Sequence, residues 1–363
     1  MIIFQIIQKP QKRGAEIFAS QLSEKLQSLG HKVVLITLFE GSTDLPFSGE
    51  IIHLNRPIAK RWYDYQAWKK IAQLVKQRKP DLIQCNAGDT LKFAIISKIL
   101  FDWKVPVVAR NASTVSNYVN SKFTKFINQQ LYNRLDAVLS VSNFSAIDLN
   151  TLFPITKNKT IVLPIGIEKV QIQEVDWKVN IQDSVNIIHV GGFTFEKNHE
   201  GLLRIWELFL KTNPNAILHL FGDGPLKDTI ERKVQIEGLS NSIVFYGWAA
   251  NPLDYIAKAD VLVLPSIIEG LPGVLLEAMY CKTPAVAYGV GGISEIIINN
   301  ETGFLIEKND ESNFASAITK ALKTNDTIIE NAFQLVQKFY TNDYIAEKFE
   351  QAYTQIIKQK QIN

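Results

Sequence analysis

Short runs rich in β-branched residues alternate with amphipathic segments along the first half of the chain. The run IIFQIIQ (2–8) precedes a segment from Gly14 to Leu29 whose apolar residues recur with the period of a helix, and Gly30 closes it. This alternation is typical of a parallel α/β sheet. It predicts strands at 2–8, 32–38, 50–54, 81–85, 105–110, 137–141 and 160–163, with helices near 14–29, 62–78, 89–101 and 121–134.

The alternation stops near Gly166 and then begins again. Residues 168–184 contain no long apolar run and carry several acidic side chains, so we predict a hinge there. The second series predicts strands at 185–190, 216–221, 242–246, 260–265, 284–288 and 303–306, with helices near 198–211, 225–237, 251–258, 273–281, 293–298 and 311–323. Two further amphipathic helices, near 327–338 and 342–359, have no strand between them.

The two series predict two Rossmann-like, doubly wound α/β domains. The first spans residues 1–166 and the second residues 167–340, and we expect the C-terminal helix, 341–363, to pack back across the domain junction. A chain of 363 residues is too long for one ordinary core. Because such sheets bind ligands at the carboxyl ends of their strands, we expect a site in a cleft where the two domains face each other.

The composition indicates a globular protein without a membrane span. No apolar run reaches the roughly 18 to 20 residues that a span needs, and the apolar piece at 2–7 is too short for a secretory signal. We therefore expect a cytoplasmic protein. Cys85 and Cys281 lie in apolar patterns without a CxxC partner or a nearby histidine, and we interpret both as reduced core residues.

The charge is divided unevenly between the two halves. Residues 1–165 hold 22 Lys and Arg against 11 Asp and Glu, while residues 166–363 hold 17 against 25. The segment KRWYDYQAWKK (60–70) mixes cations with aromatic residues. It is consistent with a solvated helix face, or with contact to an anionic membrane surface or a phosphate-bearing substrate. We expect no nucleic-acid partner.

Glycine-containing turns follow five predicted strands of the second domain. They are VGGF (190–193), FGDGP (221–225), YGW (246–248), PSIIEGLPG (265–273) and GVGG (289–292). Glycine lets a ligand approach the backbone closely, and free N–H groups at a helix start attract phosphate. Neither GxGxxG nor GxxxxGK[ST] occurs, which argues against a dinucleotide-dependent enzyme and a P-loop NTPase.

The stretch SIIEGLPGVLLEAM (266–279) places two carboxylates around one helix start. Pro272 and Gly273 predict that a helix begins there, with Glu269 in the preceding turn and Glu277 one turn into the helix. Carboxylates can bind the hydroxyls of a sugar and a ribose, while the N–H groups between them hold a diphosphate. The simpler alternative is a charge pair that only complements the helix dipole.

The segment 265–297 resembles the E-x7-E region of glycosyltransferase family 4, whose members are retaining enzymes of the two-domain GT-B fold. Further similar segments are VGGFTFEKNHEGLL (190–203), FGDGP (221–225), VSNFSAIDL (141–149), LPIGIE (163–168) and RGAEIFASQLSEKLQSLGHKV (13–33). The resemblance thus extends over about 300 residues in the family's order. It implies a GT-B fold and transfer of a sugar from a nucleotide donor.

The resemblance also implies roles for single residues. Glu269 would bind a hydroxyl of the donor sugar, Lys197 would stabilise the charge on the leaving diphosphate, and Glu277 would bind the ribose. These roles make Glu269 and Lys197 the catalytic residues. The donor-binding set is Gly191, Gly192, Gly222, Gly224, Trp248, Asn251, Gly270, Leu271, Pro272, Gly273, Val274, Leu275 and Glu277.

The chain departs from the family pattern at two places. Gly192 stands where members usually have an arginine, so Arg13, Lys12 or Arg110 is a candidate for the missing cation. The acceptor-side histidine of many members is not evident either. The acceptor-binding candidates are Arg13, Gly14, Asn86, Arg110 and Asn111.

Metal and cofactor motifs are not found. No Asp-x-Asp follows a strand where a metal-dependent glycosyltransferase would chelate its donor, so we predict neither a metal nor a cofactor. We interpret His189 and His219, which alternate within strands, as core residues. His199 is predicted to lie at the start of a helix.

The resemblance to the family implies a retaining glycosyltransferase, and the missing Asp-x-Asp predicts that it is metal-independent. It would move a hexose from a UDP- or GDP-sugar to the hydroxyl of a saccharide or lipid-linked acceptor, in the assembly of cell-surface polysaccharide, lipopolysaccharide or glycolipid. The basic first half suggests peripheral contact with the inner membrane face. Three alternatives stay open: a glycoside hydrolase using the two glutamates, a sugar-nucleotide epimerase on the same fold, and a non-catalytic nucleotide-sugar-binding protein.

Overall fold

The computed structural model describes residues 1–11, 13–41, 43–179, 184–249 and 251–362. The chain divides into two compact units. The first contains residues 1–168 together with the residues from 341 onward, and the second contains residues 169–340. Among the helices in these described ranges, none is both long and apolar enough to cross a bilayer.

The first unit is built on a seven-stranded parallel sheet in the order β3-β2-β1-β4-β5-β6-β7. The strands are β1 Ile2–Ile7, β2 Lys32–Phe39, β3 Glu50–Arg56, β4 Leu82–Cys85, β5 Val107–Asn111, β6 Ala137–Ser140 and β7 Thr160–Val162. The helices between them are α1 Gly14–Ser28, α2 Tyr65–Arg78, α3 Gly88–Phe101, α4 Lys122–Asn133 and α5 Asn143–Leu152. Nearly continuous apolar strands such as KVVLITLF are typical of a parallel sheet that is covered on both faces.

Helices cover both faces of this sheet. One face packs against α2, α3 and α4 through buried side chains such as Trp68, Phe93 and Leu131. The other packs against α1 and the C-terminal helix α12 (Asn342–Ile362) through residues such as Phe18 and Phe349. The C-terminal helix therefore belongs to the core of the first unit.

A closed ring of hydrogen bonds joins α12 to the sheet. The Gln5 amide donates to the Tyr353 hydroxyl (3.1 Å), which donates to the Gln84 side-chain Oε1 (2.6 Å). The Gln84 amide donates to Asn86 (2.9 Å), whose own amide donates back to Gln5 (2.9 Å). All four side chains are buried, so the ring satisfies polar groups that would otherwise be costly to remove from water.

The second unit contains a six-stranded parallel sheet in the order β10-β9-β8-β11-β12-β13. The strands are β8 Asn186–Val190, β9 Ile217–Phe221, β10 Ile243–Gly247, β11 Val261–Leu264, β12 Ala285–Tyr288 and β13 Phe304–Ile306. The helices are α6 His199–Leu210, α7 Lys227–Ile236, α8 Pro252–Lys258, α9 Gly273–Tyr280, α10 Glu311–Ala321 and α11 Asp326–Phe339. Trp206 and Phe209 of α6 pack with Phe314 of α10 in its core.

The helix predicted near 293–298 is wrong in type and position. The chain instead forms a 3-10 helix at Gly291–Glu295. Gly291 has a φ of +59°, a left-handed conformation that an α-helix does not contain. The short helix thus begins two residues earlier than predicted, at a glycine with a left-handed backbone.

The described part of the predicted hinge packs on the second unit. Trp177 stacks on His219 with ring centroids 3.8 Å apart, and the Lys178 backbone N–H donates to the Tyr246 hydroxyl at 2.8 Å. Residues 180–183 of the predicted hinge lie outside the described residues. The partners in each of these contacts are more than 40 residues apart, so no local sequence pattern predicts the contacts.

Candidate active site

The turns at the carboxyl edge of the second sheet are bonded to one another. The Gly191 N–H donates to the Phe221 carbonyl (2.9 Å), which joins the turns after β8 and β9. The Ile267 N–H donates to the Glu196 carbonyl (2.8 Å), and this bond adds the turn after β11. The Gly292 N–H donates to Gly270 (2.8 Å), so the glycine turns form one connected rim.

Two predicted donor-binding glycines are required by this close packing. Gly222 has a φ of +136°, and a Cβ atom there would lie 2.0 Å from the Gly191 carbonyl oxygen. Gly224 has a φ of +158°, and its Cβ would lie 2.6 Å from the Phe193 oxygen. No larger residue fits without moving the backbone, so these glycines fix the shape of the rim whatever ligand it binds.

Gly192 has space that its neighbours lack. A Cβ atom there would meet the Asp223 carbonyl oxygen at 3.4 Å and Thr194 Cγ2 at 3.8 Å, both ordinary contacts. At Gly191, in contrast, a Cβ would lie 3.1 Å from His189 Nε2. The backbone at 192 is therefore compatible with a side chain.

Lys197 and Glu269 form an ion pair across the rim. Lys197 closes the 3-10 helix Phe195–Lys197, and Glu269 lies in the turn before α9. Their Nζ and Oε1 atoms are 2.6 Å apart, and the two side chains are 22% and 10% exposed. The sequence predicted separate roles for these residues, whereas the structure also shows direct contact between them.

The helix α9 begins where Pro272 and Gly273 predict it. Pro272 is its N-cap residue, and no side chain caps the helix start. Leu275 is buried, whereas Val274 is partly exposed at the first turn. Gly270 and Leu271 complete the approach to the helix, and Leu271 is buried.

Glu277 lies one turn along this helix, as the spacing predicts. It is partly buried, and desolvation raises the pKa of its carboxyl from the ordinary 4.5 to about 7. With this pKa the carboxyl takes up a proton near neutral pH. A ligand that donates hydrogen bonds to it would favour its ionised form.

Two buried histidines lie directly behind the Lys197 loop. The His189 and His199 rings contact edge to face, with centroids 4.9 Å apart, and His199 also stacks on Phe193 at 4.0 Å. Burial lowers the pKa of His189 to about 4, and burial with the neighbouring positive groups lowers that of His199 to about 2. Both imidazoles are neutral at neutral pH, so they add no charge behind Lys197.

These histidines differ from the sequence interpretation in one respect. His219 is a satisfied core residue, bonded to Tyr246 and Asn186. His189 bonds Val263 through Nδ1 at 2.9 Å, but its Nε2 atom and both ring nitrogens of His199 have no partner among the described residues. The alternating pattern of the strand predicted the burial but not the incomplete hydrogen bonding.

The residues expected near the base occupy the turn after β10. Trp248 is 49% exposed. Asn251 is the N-cap residue of α8, and its side-chain amide donates to Asp254 at 2.8 Å. The Gly222 N–H donates to the Gly247 carbonyl (2.8 Å), so this turn joins the same rim.

The acceptor-binding candidates lie at the carboxyl edge of the first sheet and at the start of α1. Arg13 is the exposed N-cap residue of α1, and a Cβ atom at Gly14 would meet nothing within 4 Å. The Asn86 amide donates to Gln5 and the Asn111 amide to Ser140, so both side chains are engaged in the interior.

Arg110 is buried, with its guanidinium 4.2 Å from the centre of the Phe18 ring. The other cation named for this region, Lys12, lies outside the described residues. Within the described ranges, no group of three or more His, Cys, Asp and Glu side chains is arranged to hold a metal ion.

Known proteins resemble both units. Residues 12–170 match the model for "Glycosyltransferase Family 4", and residues 171–338 match that for "Glycosyl transferases group 1". An uncharacterized glycosyltransferase of Methanocaldococcus jannaschii is 27% identical over 92% of each chain. The N-acetyl-α-D-glucosaminyl L-malate synthase of Bacillus anthracis is 23% identical over 96% of each chain.

A solved structure shares the fold over nearly the whole length. HepE from Anabaena, crystallised with UDP and glucose, superposes with a TM-score of 0.82 over 97% of this chain and 99% of its own, at 18% identity. This similarity confirms the predicted GT-B fold. Because the two family models together extend from residue 12 to residue 338, the chain belongs to glycosyltransferase family 4, whose enzymes use nucleotide sugars.

Proposed function

We propose that the protein is a retaining hexosyltransferase that moves a hexose from a UDP- or GDP-sugar to an acceptor hydroxyl. The observation that carries this proposal is the Lys197–Glu269 pair at 2.6 Å, beside the open start of α9. A cation next to a helix N-terminus suits a diphosphate leaving group. The adjacent carboxylate suits a sugar hydroxyl.

The proposed reaction needs no side-chain base. Glu269 orients the sugar, and the N–H groups from Gly270 to Leu275 hold the sugar and diphosphate. Lys197 stabilises the negative charge that grows on the diphosphate as the glycosidic bond breaks. The departing phosphate oxygen takes the proton of the acceptor hydroxyl on the same face of the sugar, so the anomeric configuration is kept.

UDP-glucose is the first donor to test. HepE, which shares the fold, was crystallised with UDP-glucose. Glu277 supports a ribose-containing donor, because it lies one turn into α9 and a carboxylate there can accept hydrogen bonds from two ribose hydroxyls. We propose that the reaction proceeds without a metal, since Lys197 and the helix start supply the positive potential.

We propose that the acceptor is a saccharide or a lipid-linked saccharide held by the first unit, in cell-surface glycan or glycolipid assembly. Ile58, Trp62, Tyr63 and Tyr65 are exposed in and beside the basic segment 60–70. Aromatic side chains interspersed with lysine and arginine suit the interface of an anionic membrane. This surface supports peripheral attachment at the inner membrane face.

The test is donor-dependent transfer by the purified chain. UDP-glucose, UDP-N-acetylglucosamine, UDP-galactose and GDP-mannose are each incubated with soluble and lipid-linked saccharide acceptors, and released nucleotide is measured by capillary electrophoresis. NMR of the product gives the anomeric configuration. The matched control is Glu269→Gln, which keeps the size of the side chain and removes its charge.

Each outcome has one meaning. Acceptor-dependent nucleotide release with a retained linkage, lost in Glu269→Gln, supports the proposal. Nucleotide binding without turnover for any donor indicates a non-catalytic binding protein. An isomerised donor without acceptor indicates an epimerase, and cleavage of glycosides without nucleotide indicates a hydrolase.

A further inference from the structure

Arg110 is a buried cation whose hydrogen bonds are incomplete. It is the fourth residue of β5 and pairs in register with Leu139 of β6. The side chain is 8% exposed, and its Nε and Nη1 atoms have no hydrogen-bond partner among the described residues. The guanidinium packs 4.2 Å from the Phe18 ring centre. This ring contact stabilises the charge only partly, since it replaces none of the lost hydrogen bonds.

Among the residues that the structure describes, the charge of Arg110 is only partly balanced. The carboxylate that acts on it there is Glu16 in the first turn of α1, which accepts a hydrogen bond from Gln11 at 2.8 Å. Burial raises the pKa of Glu16, which weakens its value as a counter-charge. Tyr353 also faces Arg110, but its hydroxyl belongs to the hydrogen-bond ring described above and burial raises its pKa.

The charge of Arg110 persists in spite of burial. Desolvation lowers the pKa of the guanidinium to about 10, which still leaves it protonated at neutral pH. A buried charge without its hydrogen bonds is strongly unfavourable, and proteins retain such groups where a ligand completes the site.

The start of α1 adds positive electrostatic potential, as Arg110 does. Its N-cap residue, Arg13, makes no side-chain capping bond, and the space over Gly14 is open for at least 4 Å. The first N–H groups of a 15-residue helix carry a positive partial charge. Arg110 and this helix start therefore create positive potential at one place on the carboxyl edge of the first sheet.

We propose that Arg110 binds an anionic group of the acceptor, either a phosphate or a carboxylate. The planar guanidinium offers parallel N–H donors that match two oxygens of such a group. The inference rests on the proposed function, because it assigns the first unit to the acceptor. It adds that the acceptor carries a negatively charged group.

Isothermal titration of the full chain at low ionic strength tests the proposal, with inorganic phosphate and L-malate as separate probes. Arg110→Gln is expected to weaken binding of one of the probes by about tenfold or more, the effect of losing a charge-assisted bidentate contact. Arg134→Gln removes an exposed arginine and serves as the matched control, with no change expected. UDP is titrated into the same proteins, and its affinity is expected to stay within about twofold.

A second variant keeps the test independent of the stability of Arg110→Gln. Glu16→Gln removes the carboxylate that competes for the guanidinium, so the affinity for the same anion is expected to increase severalfold. The favoured probe also separates the two sources: phosphate indicates a phosphorylated acceptor and malate a carboxylated one.

Several results overturn the inference. The first is that the wild type binds neither probe at about 50 mM. The second is that wild type and Arg110→Gln bind the probes equally well. The third is that Arg110→Gln loses affinity for UDP as well as for the probe. The last would assign Arg110 to the donor diphosphate. A wild type that transfers sugar but binds neither probe refutes only this inference, whereas absence of turnover with every donor refutes the proposed function.

Discussion

The carboxyl of Glu277 makes the affinity for the nucleotide dependent on pH. Burial raises its pKa to about 7 in the ligand-free protein. If Glu277 accepts hydrogen bonds from both ribose hydroxyls, the bound form is ionised and its pKa returns toward the ordinary value. Binding then releases a proton below pH 7, so the affinity for UDP should fall as the pH is lowered through 7.

The structure limits the size of this effect. A return of the pKa from about 7 to 4.5 corresponds to about 3 kcal/mol, or roughly a hundredfold in affinity between pH 8 and pH 5. Glu277 is only partly buried by its accessible surface, and solvent screening reduces the gain. We therefore expect a loss of about tenfold.

The measurement is calorimetric titration of UDP from pH 5 to pH 8 into the wild type and Glu277→Gln. UDP itself titrates near pH 6 and weakens in both proteins at low pH. In Glu277→Gln the pH dependence comes from the titration of UDP alone. The difference between the two profiles therefore measures the effect of protonating Glu277. Parallel profiles, or a wild type that binds more tightly as the pH falls, would refute the assignment of Glu277 to the ribose.

Three further predictions concern the rim of the second unit. Gly192→Arg is expected to raise kcat/KM for the nucleotide donor severalfold. The backbone has room for the side chain, and a second cation would face the diphosphate. A loss of activity would mean that another residue supplies the phosphate-binding cation. Lys197→Ala is expected to lower kcat by about a hundredfold and UDP affinity much less, as expected for a contact that strengthens in the transition state; equal losses in both would indicate simple binding. His189 and His199 have depressed pKa values, so the unfolded chain takes up more protons than the folded one and stability should fall as the pH falls from 6.5 through about 4. The free energy of unfolding in urea should decrease less between pH 7 and pH 5 in His199→Phe than in the wild type. Equal decreases in the two proteins would contradict this account.

The fold was predictable because buried parallel strands carry a strong local signal. Runs such as KVVLITLF and AVLS are apolar along nearly their whole length, as expected for strands that are covered on both faces. The strand positions followed from these runs. The 3-10 helix at Gly291–Glu295 was missed because the positive φ of Gly291 depends on its contact with the neighbouring turn. A Cβ atom at Gly291 would lie 2.0 Å from the backbone carbonyl oxygen of Glu269.

The candidate site was predictable only where one segment carries it. Glu269 and Glu277 flank the start of one helix, so their positions followed from the local sequence, and the resemblance to the family supplied their roles. The pairing of Lys197 with Glu269 joins positions 72 residues apart, and the buried, incompletely bonded state of Arg110 depends on α1 packing over β5. Neither contact leaves a pattern in the local sequence.

The Lys197–Glu269 ion pair affects how the donor binds in the proposed reaction. The Lys197 ammonium group is paired with Glu269, so a diphosphate must compete with that carboxylate for it. A partly exposed pair of this kind is worth only about 1 kcal/mol, which a doubly charged ligand readily exceeds. Once Lys197 turns to the phosphate, the Oε1 atom of Glu269 is available to the sugar hydroxyl. Binding of the diphosphate and orientation of the sugar are then coupled through the Lys197–Glu269 contact.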